Sequence, residues 1–560
     1  MWWMTRMHPY LSTNVLGMIL PSAVQKMKWL ALCALMALLQ MACQSSNAKK
    51  MPDMKPVDTS ITAQNAFMDV FTDSATVLAF VQRQKLNEQD SIYIISFYKQ
   101  RNYQLAWYDS SGVAEQAYNF INLYRSYQSS TQDSSLLQPD FDALANQLYN
   151  DSLPQLLSQS EKVQADLLLT RHFFRYAERA YAADAQINLR ELDWFIPKRK
   201  TDPVAFLDTV VASGGKDISK LLPVHPLFEG LRKALLQYTA LAKAHAWAPI
   251  AFAKKKYELG DSAVDISSIK QRLIWLGDLA AADTGHVFTP ALQKAILQFQ
   301  QRMGLAADGV AGKGFLEAIN VPLEERIKQI RINMERARWI PKPGNGKYVV
   351  VNIPEFMLRA FDSGQLQLQM NVVVGKPANN TVIFNGNMQY VVLAPYWNVP
   401  YSIVKNEMGR TAAYFSKRNM EVVGKYSDGL PMVRQKPGPN NSLGRVKFLF
   451  PNSYSIYLHD TPSKSLFEQN KRAFSHGCIR VAKPRDLALW ALAGNKEWTA
   501  EKIDSGMSGN KEISITLQQK IPVFIGYFTC WTDANGLLHF RNDIYGHDKK
   551  LGDHLFAAAK

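Results

Sequence analysis

At 560 residues the chain exceeds the size at which one hydrophobic core stops growing, so three or more domains are expected. Hydrophobic residues at 47% and aromatics at 11% exclude a mostly disordered or fibrous protein. A net charge of +16 suits a polyanionic neighbour: nucleic acid, anionic lipid or an acidic polymer. Four cysteines, Cys33, Cys43, Cys478 and Cys530, are too few and too scattered for a disulfide framework, and without CxxC spacing they offer no structural metal site.

The first apolar run is WLALCALMALLQMA, Trp29 to Ala42, behind Lys26 and Lys28. It is uncharged and shorter than the roughly 20 residues a bilayer span needs, so it reads as a secretory signal, with Met27 a candidate start. Ala42-Cys43 followed by QSSNAKK resembles a lipoprotein signal-peptidase site, which makes Cys43 the lipidated residue and residues 1–43 the signal segment. Gln40 departs from that pattern, and an ordinary signal peptide with an incidental cysteine is the alternative. Either reading exports the chain to the periplasm, and lipidation would hold it at a membrane. Removing residues 1–42 takes away Arg6, Lys26 and Lys28 but no acid, which leaves +13 on the mature protein. For an exported chain, a carboxylate-rich cell wall is a better partner than nucleic acid.

Residues 44–64 are polar and carry Pro52 and Pro56, a tether. From 65 to 260 apolar residues recur three and four apart, the pattern of a helical scaffold domain. Leu169, Phe173, Tyr176 and Ala180 share one face of such a helix, and His172 and His225 read as structural or surface histidines. Residues 261–322 have two helical stripes, Ile269/Leu273/Leu276 and Leu292/Ile296/Phe299, separated by a turn around Gly285. With LIWLG, FQQRMGL and ADGVAGKGFLEAI, this unit resembles a three-helix peptidoglycan-binding module. A helical connector is expected over 323–347. Beyond Pro341 and Pro343 the texture turns to short β-branched and aromatic runs, so 348–545 reads as a mainly-β domain. Asn535-Gly536 between apolar-aromatic runs marks a hairpin. Residues 402–442, with SKRN, YSDG and KPGPNN, break the rhythm and read as a capping insertion; 546–560 reads as a tail. The expected fold class is α+β and multidomain.

The run AFSHGCIRV, Ala473 to Val481, carries the chemistry. Cys478 follows His476 and Gly477, and IYLHDTP supplies His459 upstream, enough chain for a strand to turn and return. A free thiol, with a pKa of about 8.5, is a weak nucleophile at neutral pH; an imidazole beside it takes the proton and later hands it to a leaving amine. Gly477 lets the backbone approach a scissile carbonyl, and the amides around Gly477 and Cys478 are candidate oxyanion donors. Cys530, on a probable strand, reads as a buried small hydrophobe.

HDTP followed by SHGCIRV resembles the signature of the L,D-transpeptidases with a YkuD-type catalytic domain. Tyr396 to Pro400, PGPNNSLGRVKFLFPN and GLLHFRNDIYGHD agree with that, and with the helical region and wall module the chain resembles the large multidomain periplasmic members. The resemblance implies Cys478 as nucleophile, His459 as general base and then acid, and Gly477 in the catalytic loop. Ser475 and His476 shape the loop and meet substrate; Arg480 either binds a substrate carboxylate or braces the loop; Tyr457 and Trp397 line the donor cleft or simply pack. The group orienting His459 is a backbone carbonyl in much of the family, with Asp460 the other candidate.

The implied reaction needs no metal or organic cofactor. Cys478 takes the acyl group of a tetrapeptide stem, and a second stem's side-chain amine resolves the thioester into a 3→3 cross-link, so stem peptides serve as donor and acceptor. Carbapenem β-lactams are the implied covalent inhibitors. Alternatives are resolution by water (an L,D-carboxypeptidase) or by another amine such as a protein lysine or a D-amino acid, and a non-catalytic wall-binding scaffold. A sortase-like enzyme is disfavoured, because SHGCIR lacks its TLxTC-like run.

Overall fold

The computed structural model describes residues 70–109, 112–131, 133–150, 157–216, 218–409 and 411–557. The expected signal segment, Cys43 and the 44–64 tether lie outside them. No helix among the described residues is long and apolar enough to cross a membrane.

The architecture is α+β and multidomain. Helices Ser74–Arg83, Glu88–Gln100, Glu115–Thr131, Pro139–Tyr149, Gln159–Tyr181, Pro203–Ala212 and Pro226–Ala244 build the first body, interrupted by a short hairpin of β1 (Tyr108–Asp109) and β2 (Gly112–Val113). Its centre is Gln159–Tyr181, whose start is set by a capping box: the Ser158 hydroxyl accepts the Glu161 N–H and the Glu161 carboxylate accepts the Ser158 N–H. Leu169, Phe173, Tyr176 and Ala180 are all buried, as their spacing predicts. On the same helix Asp166 is buried and accepts the Tyr98 hydroxyl at 2.5 Å and the Trp107 N–H at 2.7 Å, pinning the approach to the hairpin. His172 stacks on Phe141 at 3.4 Å between ring centroids, and burial drives its pKa down to about 3. The His225 side chain accepts the Leu227 N–H at a helix start. Both histidines are structural.

Helices Val264–Trp275, Pro290–Met303 and Lys313–Ile319 form the next unit. Thr289 caps the second with Pro290 at its first turn, and Gly304 ends it at φ 69°, a left-handed position that favours glycine. Its apolar stripe is continuous with the core of the first body, so the two are joined through one hydrophobic interior.

The catalytic-type region has strands β3 (Tyr348–Asn352), β4 (Met357–Asp362), β5 (Gln365–Gly375), β6 (Phe384–Leu393), β7 (Trp397–Asn398), β8 (Met420–Lys425), β9 (Pro431–Gln435), β10 (Val446–Leu449), β11 (Leu458–His459), β12 (Ala473–Ser475), β13 (Ile479–Val481) and β14 (Ile513–Gly526). Pairing runs β5–β13–β11–β10–β6–β14–β3–β4 and returns from β4 to β5, so eight strands close on themselves, with β12 alongside β5. Alternation puts Val349, Val351, Leu358, Ala360, Val372 and Val374 inside. Strands β8 and β9 of the insertion pair with β7, just before it, as a separate three-stranded sheet with its own small core of Val399, Val404, Phe415 and Val433. The YSDG segment is the turn joining β8 to β9, with Gly429 at φ 83°.

Three boundaries differ from expectation. Ile187, Leu192, Trp194 and Ile196, in the helical stretch by sequence, belong to the β core, with Trp194 bridging to Ile383. The predicted hairpin forms as β15 (Cys530–Thr532) and β16 (Leu538–Phe540), yet Cys530, Leu538 and Phe540 pack into the helical core. Residues 547–557 are no tail but the helix His547–Ala557, because Leu551, Leu555 and Phe556 recur at helical spacing and pack on the β core. The connector is the helix Leu323–Trp339, which gives Ile330, Met334 and Ala337 to the helical core and Ile332 and Trp339 to the β core.

Candidate active site

β11 and β13 are parallel neighbours in register, Leu458 opposite Ile479 and His459 opposite Arg480. The Ile479 N–H donates to the Tyr457 carbonyl at 3.1 Å, which carries the register back to Tyr457 and Cys478. Because strand side chains alternate, the buried Leu458 and Ile479 point into the core while Tyr457, His459, Cys478 and Arg480 share the opposite face. Two residues about twenty apart in sequence are thereby diagonal neighbours on one surface.

His459 is buried, and its Nδ1 lies 2.5 Å from the Asp460 backbone oxygen. A carbonyl only accepts, so Nδ1 carries the hydrogen and Nε2 is left as the basic nitrogen. The Asp460 carboxylate is turned elsewhere: it accepts the Arg445 N–H at 2.8 Å and the Thr461 N–H at 2.7 Å, and pairs with Lys464. The orienting group is thus the Asp460 carbonyl, not its side chain. Burial, then the Arg480 cation, lowers the His459 pKa to about 4. Burial pushes the Cys478 thiol up, against the opposing pull of Tyr457 and Arg480, and Sγ donates to the Ser455 carbonyl at 3.5 Å. At neutral pH the pair rests as neutral imidazole and neutral thiol.

The loop before Cys478 is held from below. Gly477 stands at φ 115°, outside the range most side chains tolerate. Its carbonyl accepts the Thr381 hydroxyl at 2.7 Å, and Thr381 Oγ1 accepts the Gly375 N–H at 2.9 Å. Tyr545 donates from its hydroxyl to the Gly375 carbonyl at 2.6 Å. A side chain at Gly375 would collide with the Asn379 carbonyl, since a Cβ there would sit 2.1 Å from that oxygen. Sequence reasoning missed Thr381 and Tyr545, which lie far from SHGC along the chain and in no motif; Gly375 before Lys376-Pro377 was the only local signal.

Other expected site residues are distributed unevenly. Ser475 is buried and turned inward, its hydroxyl donating to the Cys478 carbonyl at 2.6 Å and accepting the Gly477 N–H at 3.2 Å, so it shapes the loop and does not face substrate. That bond also occupies the Gly477 amide, one of the two expected oxyanion donors. His476 is exposed and meets Glu407 of the insertion, Nε2 to Oε1 at 2.8 Å. Arg480 is half-buried on the Cys478 face, its Nε enclosed without a hydrogen-bond partner among the described residues. Tyr457 lies beside Cys478 and opposes the rise that burial imposes on its thiol. Trp397 packs on the small core of Val399, Val404, Phe415 and Val433. Cys530 is fully buried.

Three family models match in tandem: "Scaffold domain" over residues 93–235, "Putative peptidoglycan binding domain" over 262–319 and "L,D-transpeptidase catalytic domain" (YkuD) over 346–500. The chain therefore carries the catalytic domain of the L,D-transpeptidase family, joined to a scaffold and a peptidoglycan-binding domain. It is 32% identical over 243 residues to a "Putative L,D-transpeptidase" of Haemophilus influenzae, a match covering 40% of this chain and 49% of that protein, so it spans about half the length of that curated relative. Among solved structures it resembles an L,D-transpeptidase from Mycobacterium smegmatis (15% identity, 33% of this chain and 60% of that one, TM-score 0.19). It also resembles one from Stackebrandtia nassauensis (16% identity, 50% and 98%, TM-score 0.22). At those TM-scores the likenesses carry no further conclusion.

Proposed function

We propose that the chain is a cysteine-dependent L,D-transpeptidase that forms 3→3 cross-links between tetrapeptide stems of the cell wall. The observation that carries this is the shared face of β11 and β13, where His459, with Nδ1 tied to a carbonyl and Nε2 free, lies diagonal to Cys478.

His459 Nε2 takes the Cys478 proton as sulfur attacks the carbonyl of the dibasic residue in the donor stem. The tetrahedral oxyanion is met by the Cys478 N–H, the neighbouring Gly477 amide being already engaged. The C–N bond then breaks, His459 returns the proton to the departing D-alanine nitrogen, and a thioester remains. The side-chain amine of a second stem attacks that thioester through a similar oxyanion. His459 now accepts the amine's proton and passes it to the departing sulfur, regenerating the thiol. Arg480, a cation with no carboxylate partner among the described residues, fits a donor-stem carboxylate better than it fits bracing the loop. The insertion, latched to the loop through Glu407 and His476, screens the thioester from water while the amine enters. In the same reading Cys43, outside the described residues, is the lipid anchor of an exported protein.

Intact-mass analysis after incubation with a carbapenem tests the assignment. One added inhibitor mass is expected on the native chain and none on Cys478→Ala. An unmodified native chain, or a labelled Cys478→Ala, removes the nucleophile. Muropeptide mass spectrometry then reads the acceptor: 3→3 dimers support cross-linking, while trimmed tripeptides alone would replace it with hydrolysis.

A further inference from the structure

A cavity of about 510 Å³ opens where three parts of the chain meet, away from the Cys478 face. Its walls are the end of helix Pro290–Met303 with Gly304 and Leu305, the Pro354–Met357 turn with Asn470 to Arg472, and Arg541 to Ile544. Five charged side chains line it, and their pairing is unequal. Glu355 is held by Arg359 through two bonds of 2.6 and 2.7 Å. Asp543 accepts the Tyr527 hydroxyl at 2.7 Å and the N–H groups of His547 and Asp548 at the start of the last helix. Both acids are thus satisfied. Arg472 and Arg541 make no carboxylate pair among the described residues, and Lys471 is exposed beside them.

Both guanidiniums are nevertheless fixed. Arg541 donates to the carbonyls of Arg302 at 3.0 Å and Phe540 at 2.7 Å and lies directly over Gly304, where a Cβ would come within 2.5 Å of its Cδ. Arg472 donates to the Gln469 carbonyl at 2.7 Å and the Phe356 carbonyl at 3.3 Å, while its Nε is enclosed with no partner. Burial lowers both pKa values against the weaker opposing pull of Glu355, whose carboxylate is bonded to Arg359 and not to either guanidinium. Partly desolvated cations held by carbonyls, one with an unused donor, keep hydrogen-bonding capacity for an anion whose planar acceptor pair matches the guanidinium fork.

We propose that this cleft is a second, non-catalytic binding site for a carboxylate of the cell-wall peptide, gripped by Arg472 and Arg541 between the wall module and the catalytic domain. The proposal rests on the wall-directed reading above and deepens it. Arg472 immediately precedes β12, the strand that leads into Ser475–Cys478, and its carbonyl accepts the Val374 N–H at 2.9 Å, so a wall strand held here is held at the base of the catalytic loop.

Sedimentation of the mature chain, in a Cys478→Ala background and at roughly physiological salt, with purified sacculi tests it. Arg472→Gln with Arg541→Gln should weaken sacculus binding about tenfold. Asn542→Asp, which adds a carboxylate to the wall of the cleft at an exposed position, should weaken it in the same direction. Sacculi whose carboxyl groups have been amidated should bind native and variant chains alike. Unchanged binding in Asn542→Asp and the double variant overturns the proposal, as does a double variant that still loses affinity on amidated sacculi. Carbapenem labelling of Asn542→Asp on the Cys478 chain should persist; its absence in the native chain would instead strike the catalytic assignment, leaving the cleft to be judged by sedimentation.

Discussion

In the proposed reaction, two protonation equilibria set the rate at which Cys478 would be acylated. Burial and the Arg480 cation depress His459 to about 4, and burial raises the thiol, so neither the imidazolium nor the thiolate is the resting species at neutral pH. On the proposed mechanism the base is therefore the neutral imidazole of His459. Because its pKa is lowered in the folded state, the competent form is present throughout the neutral range and is lost as pH falls through about 4. Carbapenem acylation followed by stopped flow should therefore stay level down to roughly pH 5 and drop below that; a midpoint near the ordinary histidine value of about 6.5 would contradict the environment described. At the same scale His459→Gln should slow acylation by about 10²-fold or more, whereas His476→Ser, which removes only an exposed contact to Glu407, should keep measurable activity. Equal losses in both variants would reverse the roles of the two histidines.

Between residue and domain, the catalytic loop is an element that cannot hold itself. Its three-residue strands β12 and β13 flank a glycine at φ 115°, and its shape depends on Thr381, fully buried, bonding Gly477 from one side and Gly375 from the other. Thr381→Val keeps the volume but leaves the Gly477 carbonyl and the Gly375 N–H unsatisfied, which should cost about 1–3 kcal/mol and slow carbapenem acylation by roughly tenfold. Thr381→Ser should restore the rate. Were valine to acylate as fast as native, the loop would owe its geometry to something else. The props were not visible in the SHGC run, where Ser475 reads both as a loop-shaping residue and as a substrate contact; its hydroxyl is bonded to the Cys478 carbonyl, inside the loop. The insertion was recognisable from its broken strand rhythm; its latch to His476 was not, since Glu407 is one acid among many.

Among the described residues, two large hydrophobic interiors, beside the small core of the insertion, are joined by one helix. Leu323–Trp339 faces both, and in its last turn Arg336 pairs with Asp548 of the C-terminal helix at 2.5 Å, while Asp548 also accepts the Thr529 hydroxyl at 2.6 Å and Asn333 donates to Thr529. Arg336 is 1% exposed and Asp548 14%, so deleting the acid leaves a buried guanidinium uncompensated. Asp548→Ala should lower stability by roughly 3–5 kcal/mol, read as a lower urea midpoint by circular dichroism. An unchanged midpoint would mean that the last helix is dispensable to the assembly of the two cores.

What the amino-acid order settles unaided is local: the 3.6-residue stripe through Leu169, Phe173, Tyr176 and Ala180, the two-residue alternation of the β strands, the Asn535-Gly536 turn, and a thiol beside glycine with an imidazole upstream. These patterns live within a few residues, where periodicity and backbone freedom act directly. Tertiary structure alone decided that His459 and Cys478 share a face, that the Asp460 carbonyl orients the ring, that Thr381 and Tyr545 prop the loop, and that the last hairpin and helix belong to different cores. Apart from the His459–Asp460 contact between chain neighbours, those relations join residues tens to hundreds of positions apart, and only the pairing register and the closing of the barrel bring them into contact.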